Sequence, residues 1–420
     1  MIEGFSQGTF PPALESRPGT AAYRSAWEDT IDAAEKYNDP GRFTAFIGWE
    51  WTSNTAGNNL HRVVIYRGDG REAQVMEPYT TLKPEGSDDP RDLWKWMQKY
   101  EDRTGGRILA IAHNGNLSNG IMFPIVDSFT GASFDRAYAE TRTKWEPLYE
   151  ATQIKGDGEA HPFLSPDDEF ADYESWDQGN LDLSVMKSDE MLQYEYARAG
   201  LQIGLQLEQE LGVNPYKFGM IGSTDSHTGL ATTGSRMMVR FFGGWEFEES
   251  DAQSRLPGDI GYTKGVPMGG DLSVAPDGRA PSFLVAALKD PHSGNLDRVQ
   301  IVKGWVDSKG ERQEKIYDVA WSGDREPGRD GKLPPVGNTV DVATATWTNT
   351  IGAPELISVW EDPDFDADLP AVYYARVLEI PTPRWTAYEQ VRFGVTLPPE
   401  AEMTTQERAY TSPIWYTPEK

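Results

Sequence analysis

The chain has 420 residues, with 66 Asp plus Glu against 39 Lys plus Arg, for a formal charge of −27. So acidic a surface argues against nucleic acid, whose phosphates need Lys and Arg, and no apolar run approaches the roughly 18 residues of a membrane span. The lack of cysteine excludes disulfides, thiolate nucleophiles, zinc–cysteine sites and iron–sulfur clusters.

The length accommodates two domains, each with a sizeable core, and the 38% apolar content is that of a globular chain. The first residues, Met1-Ile-Glu-Gly-Phe-Ser, lack the basic and apolar blocks of a signal peptide. As written the chain reads as cytoplasmic; a signal sequence upstream would make it periplasmic or secreted.

In chain order, residues 1–20 read as an irregular lead-in and 21–37 as a helix, closed by the turn Asn38-Asp-Pro-Gly41. A strand follows in Phe43-Thr-Ala-Phe-Ile-Gly-Trp-Glu50, then a polar loop and a second strand, His61 to Arg67. Asp89-Pro90 is an N-cap and first-turn pair for a helix through Lys99. Arg107-Ile-Leu-Ala-Ile-Ala-His113 reads as a strand, 134–144 as a helix, 148–154 as a strand and 162–186 as a long acidic loop. A helix is expected from Ser188 to Leu211, stopped by Gly212. The strand Phe218-Gly-Met-Ile-Gly-Ser-Thr-Asp225 closes this half. Such alternation argues for parallel α/β architecture. Beyond about residue 232 the runs are of β type, around 236–242, 298–306, 315–321 and 373–380, and Thr339 to Ile351 alternates like strands. The reading is an α/β domain over 1–232 and a β-rich, sandwich-like domain over 233–420.

Three of the apolar runs end at residues able to hold a cation: Glu50, His113 and Asp225-Ser-His227. Parallel sheets gather their chemistry at the carboxyl ends of strands. Glu50 lies between two tryptophans, where a carboxylate needs a partner; the plain structural alternative is an ion pair with Arg42 or Arg62. A lone strand-end histidine such as His113 is more often a hydrogen-bonded core residue than a ligand. Asp225 and His227 form the strongest pair, because positions i and i+2 of an extended segment share one side, offering a hard oxygen and an imidazole nitrogen. Ser226 would point away from His227 and lacks a nucleophile elbow, so a hydrolase triad is discounted. His161 lies in a loop and His292 in a turn. Together Glu50, His61, His113, Asp225 and His227 suggest one site for divalent metal ions.

Several blocks resemble the DUF3604 family: Gly48-Trp-Glu-Trp51, Asn58-Asn-Leu-His-Arg62, Ala112-His-Asn-Gly-Asn-Leu-Ser-Asn-Gly120, Gln153-Ile-Lys-Gly156 and Gly222-Ser-Thr-Asp-Ser-His-Thr-Gly229. Further blocks lie at 231–237, 381–385 and 412–417. That family in turn resembles the PHP (polymerase and histidinol phosphatase) metal-dependent hydrolases. The resemblance implies a distorted β/α barrel, here incomplete, holding two or three divalent ions (Mn, Zn or Fe). By it, Glu50 matches a bridging glutamate, His61 and His113 the histidines after it, and Asp225 and His227 the last Asp-x-His motif. Glu50, His113 and Asp225 carry the implied catalysis, hydrolysis of a phosphoester by a metal-bridging hydroxide. Asn114, Asn116 and Lys155 are the implied contacts to a small anionic substrate, and Glu159 and His161 fall in a block of the same resemblance. The chain departs from PHP sequences in having no His-x-His and no histidine before His61. It also joins Gly229 to Gly234 directly where related sequences carry an insertion. The resemblance thus implies a truncated chain. A catalytically impaired remnant, or a ligand-binding protein of the same fold, is the alternative. A third reading makes 235–420 a binding module for a carbohydrate or a protein partner.

Overall fold

A computed structural model describes residues 11, 15–227, 237–254 and 256–419. The protein is a mixed α/β chain with several sheets that divides into two compact units, Met1–His227 and Thr228–Lys420. The expected boundary at 232/233 and the Gly229–Gly234 junction lie outside the described residues, as does most of the lead-in.

In the first unit the strands are β1 (Gly48–Trp51), β2 (Asn54–Thr55), β3 (Asn58–Asn59), β4 (Arg62–Tyr66), β5 (Ile108–Ala112), β6 (Leu148–Gln153), β7 (Gly156–Asp157) and β8 (Gly219–Gly222). The main sheet runs β1-β4-β5-β6, with β7 and β8 both on β6. It is open: among the described residues no strand pairs with the outer edge of β1, and no closed barrel forms. β5, β6 and β8 are parallel, whereas β4 is antiparallel to both β1 and β5. The carboxyl ends of β1, β5, β6 and β8 therefore lie at one end of the sheet, and so does the start of β4. The short β2–β3 hairpin makes this reversal; Ala56 and Gly57 both take positive φ, the conformation a two-residue hairpin turn requires.

Two helices cover one face. Ala21–Tyr37 is capped by Thr20 and buries Trp27 and Ile31 one turn apart. Pro90–Thr104 starts on Asp89 and stops at Gly105 in the left-handed region, burying Leu93, Trp94, Met97 and Tyr100. Their partners are Trp51, Val64, Tyr66, Ile108 and Ala110. Side chains alternate along a strand, so Glu50, His61 and His113 belong to the opposite face, free of this core.

Two elements of this unit differ from expectation. The strand expected from Phe43 begins only at Gly48. The helix expected from Ser188 is a short turn, Asp189–Leu192, then a second helix, Ala197–Leu211. Between them the backbone is engaged elsewhere: Tyr194 O accepts from Phe123 N at 2.8 Å, and Ala197 N donates to Gly158 O at 2.7 Å.

The second unit contains β9 (Met238–Gly244), β10 (Gly265–Pro267), β11 (Ser282–Leu288), β12 (Leu296–Val306), β13 (Arg312–Trp321), β14 (Glu355–Glu361) and β15 (Ala371–Glu379). One antiparallel sheet is ordered β10-β9-β11-β14; the other is β13-β12-β15, extended by residues 408–410 and 414–416. Phe241, Phe283 and Val285 of the first share a core with Val299, Ile301, Tyr373 and Val377 of the second. Thr339 to Ile351 is not a pair of strands: it forms turns with one isolated bridge, Asp341 to Thr346. Among the described residues its alternation meets no neighbouring strand to pair with.

Candidate metal centre

Glu50 projects from the edge strand β1 toward His61, which precedes β4, and His113, which follows β5. Glu50 Oε1 lies 2.8 Å from His61 Nδ1 and 3.1 Å from His113 Nε2. The two rings meet edge to face with centroids 5.6 Å apart. The expected alternative partners of Glu50 are taken: Arg62 pairs with the buried Glu146 and Arg42 with Asp39.

His61 Nε2 lies 2.8 Å from Asn54 Oδ1. With the amide oriented this way, Nε2 carries the hydrogen and Nδ1 presents a lone pair to the Glu50 carboxylate. A lone pair and a carboxylate at that distance need a proton or a cation between them. Burial disfavours the proton, pushing the His61 pKa down against the pull of Glu50. For His113 burial acts the same way, yet the hydrogen bond to Glu50 and the charges of Glu150, Glu50 and Asp225 outweigh it, and its pKa is raised. Burial opposes ionisation of Glu50 too; the two imidazoles overcome that and hold its carboxyl well below the usual range.

Asp225 arrives at the same end from β8. Ser223 N donates to Thr152 O and Ile154 N to Thr224 O, which carries the β6–β8 pairing to the threshold of Asp225. Asp225 itself has φ 49°. It is therefore not in extended backbone, and the alternation expected to align it with His227 does not operate. The two side chains still approach, His227 Nε2 lying 3.3 Å from Asp225 Oδ1, with the His227 side chain 73% exposed. The other carboxylate oxygen, Oδ2, accepts from Gln153 Nε2 at 2.7 Å and from the Lys155 ammonium. Burial raises the Asp225 pKa, but Lys155 and Gln153 bring it below its ordinary value.

The ligand atoms of Glu50, His61 and His113 lie within 4.8 Å of one another, as do those of Glu50, Asp225 and His227. Donors bound to one ion at about 2.0–2.1 Å stand roughly 3.3 Å apart around a tetrahedron, so the first set needs only small side-chain shifts. The donor set of carboxylate and imidazole suits Mn, Zn or Fe, and the lone pair of His61 opposed to Glu50 fits a cation between them.

The chain matches the family described as "Protein of unknown function (DUF3604)" over residues 1–232 and 228–418. It belongs to the DUF3604 family. No curated protein and no solved structure matches it.

The remaining residues singled out in this DUF3604 protein are placed differently. Asn114, in the left-handed region at φ 52°, accepts from Gln153 Nε2 at 2.7 Å. Asn116 is buried and donates to the carbonyls of Lys155 and Trp176; it pins two loops and is not open to a substrate. Glu159 is not open either: it is buried against Arg198, 2.7 Å away, which also binds Asp168. His161 Nε2 meets Asp177 Oδ2 at 2.7 Å while its Nδ1 accepts from Phe163 N, so it orders its own loop. His292 sits in a turn whose backbone N–H donates to Asp290.

Glu150 is the residue that sequence reasoning passes over. It lies mid-strand in β6, buried, with Ser223 Oγ donating to Oε2 and no partner on Oε1. Burial raises its pKa against the favourable charge of His113. Asp225 also acts on it, so Glu150 faces the same cluster.

Proposed function

We propose that this protein is a divalent-metal-dependent hydrolase acting on phosphoesters. One observation carries the reading: Glu50 is common to two groups of candidate ligands, and its Oε1 opposes the lone pair of a buried histidine across 2.8 Å. In this reading Glu50, His61 and His113 hold one ion, and Glu50 with Asp225 and His227 holds a second. Ions in such places lower the pKa of water and polarise a phosphoryl oxygen.

The chain's own residues supply the rest. Asn54 fixes the His61 ring, so that Nδ1 and not Nε2 is the coordinating atom. Gln153 tethers Asn114 to Asp225 across the strand ends. Lys155 places a positive charge at the site, suited to a small anionic substrate. A cleft of about 240 Å³ lined by Tyr23, Trp49, Glu50, Trp51, Tyr79 and Thr81 reaches Glu50 along the β1 edge, and of the candidate ligands Glu50 alone lines it.

The test is metal analysis of protein produced with Mn, Zn and Fe supplied, beside assays on phosphomonoesters, phosphodiesters and sulfate esters. We expect bound metal and ester hydrolysis, with His227→Ala losing the second ion and the hydrolysis while the first ion stays on Glu50, His61 and His113. Less than a tenth of an equivalent of metal would refute the reading. The Lys155 ammonium on Asp225 favours a second reading, a one-metal or ligand-binding protein without turnover; metal bound with no hydrolysis of any ester would select it.

A further inference from the structure

Beside the candidate metal centre two buried polar atoms of neighbouring strands lack a hydrogen-bond partner: His113 Nδ1 and Glu150 Oε1. Both residues are almost fully enclosed, His113 at 1% and Glu150 at 5% exposure. Unpaired buried groups of this kind are costly, and two on neighbouring strands call for a common cause. The strand register supplies it. β5 and β6 are parallel with Ala112 beside Tyr149, so His113 and Glu150 are the next pair along and fall on the same face of the sheet. Ser223 Oγ fixes Glu150 through Oε2, which leaves Oε1 for the neighbour. On its far side His113 turns Nε2 to Glu50.

We propose that Glu150 is the positioning residue for His113: Oε1 takes the Nδ1 hydrogen, by a small rotation or through one water, and so commits the Nε2 lone pair to the centre. A histidine that ligates a metal through one nitrogen generally donates its other ring N–H to such a partner, which fixes tautomer and ring orientation. A water spanning two buried polar atoms is common where both need a partner. Glu150 itself stays outside the ligand sets. Both groups of candidate ligands form without it, so it acts through His113. The proposal rests on the metal reading for its consequence, but not for the Glu150–His113 contact.

The experiment uses the full chain labelled with ¹⁵N-histidine. There are only five histidines, and a His113→Gln sample assigns the relevant ring. Long-range proton–nitrogen spectra of the metal-free and zinc-loaded protein report which ring nitrogen carries hydrogen, and competition with a chromophoric chelator gives zinc affinity. For the wild type we expect a protected Nδ1–H on His113 in both forms. In Glu150→Leu that hydrogen should exchange too fast to observe, and zinc affinity should fall roughly 10–100-fold. Glu150→Gln, whose amide oxygen can still accept, should keep the signal and lose only severalfold in affinity. A folded Glu150→Leu protein with the signal and the affinity both unchanged overturns the proposal. If the Leu variant does not fold, the Gln variant decides: loss of the Nδ1 signal with unaltered affinity overturns it. Wild-type protein that binds no zinc yet shows the protected Nδ1–H would sink the proposed function and leave the positioning contact standing.

Discussion

Glu50 and His61 meet through one oxygen and one ring nitrogen 2.8 Å apart, Oε1 to Nδ1, and the same oxygen serves His113. Glu50→Gln keeps the shape and removes the charge that both imidazoles address. It should cut metal affinity by more than the roughly 10–100-fold typical of changes outside the ligand shell. Metal content after gel filtration in metal-free buffer, beside the wild type, checks this. Retention of the full metal complement by the variant would refute the shared-carboxylate reading.

Lys155 sets its ammonium on Oδ2 of Asp225, a carboxylate that belongs to the second group of candidate ligands. Removing a competing cation should therefore favour metal. We expect Lys155→Met to bind a second equivalent of Mn or Zn more tightly, by roughly tenfold, the equivalent of about 1.4 kcal/mol. If Lys155 also meets the anionic substrate, turnover should fall in the same variant. Calorimetric titration separates the two effects, since stoichiometry and affinity are read without substrate. A weaker second site would show that Lys155 organises Asp225 and does not compete for it.

Much of this centre was legible because strand ends announce themselves. Glu50, His113 and Asp225 each close an apolar run, and the sheet brings them together as that pattern implies. His61 was legible only through the polar loop before it, whose Ala56–Gly57 turn reverses the chain and returns the start of β4 to the same end. Glu150 was not legible: it stands inside a strand between Tyr149 and Ala151, and nothing in the local pattern tells which face will meet His113. That depends on which strands become neighbours. The same limit hid the fate of Glu159, whose partner Arg198 is 39 residues away. Conversely, Thr339 to Ile351 has strand-like alternation but, among the described residues, no strand beside it, so local propensity had nothing to pair with. The break before Ala197 also has a remote cause: Gly120 and Phe123 N–H donate to Glu195 and Tyr194, and Ala197 and Arg198 N–H donate to the carbonyls of Gly158 and Glu159.

Glu195 gives a pH dependence with a definite sign. It is fully buried, and burial pushes its pKa up to about 7 from 4.5, although the Lys187 ammonium 2.6 Å away and the Gly120 N–H pull the other way. The folded state therefore holds a proton that the unfolded chain releases near 4.5. The stabilisation is fully present below that pH and is lost as pH rises through about 7. Urea unfolding of the wild type and Glu195→Gln at a series of pH values between 4 and 8 isolates it. The wild type should lose stability relative to the variant across this window; parallel curves, or a gain with pH, would contradict the assignment.

Arg62 anchors the floor of the centre from the opposite face of the sheet. Its guanidinium is buried against Glu146, which also accepts from Trp94 Nε1 at 3.0 Å and lies 3.4 Å from Arg142. Burial alone would keep Glu146 neutral, but Arg62 and Arg142 lower its pKa, so an acidic charge remains when Arg62 is removed. Truncating one member of a buried pair typically costs about 3–5 kcal/mol because the other is left uncompensated; Arg142 should keep the loss near the lower end. Arg62→Ala should accordingly lower the urea midpoint, with the slope of the transition unchanged. Because Arg62 directly follows His61 yet points to the other face, metal affinity of the fraction still folded should change little. A variant that keeps its stability but releases its metal would place Arg62 in the centre itself and not beneath it.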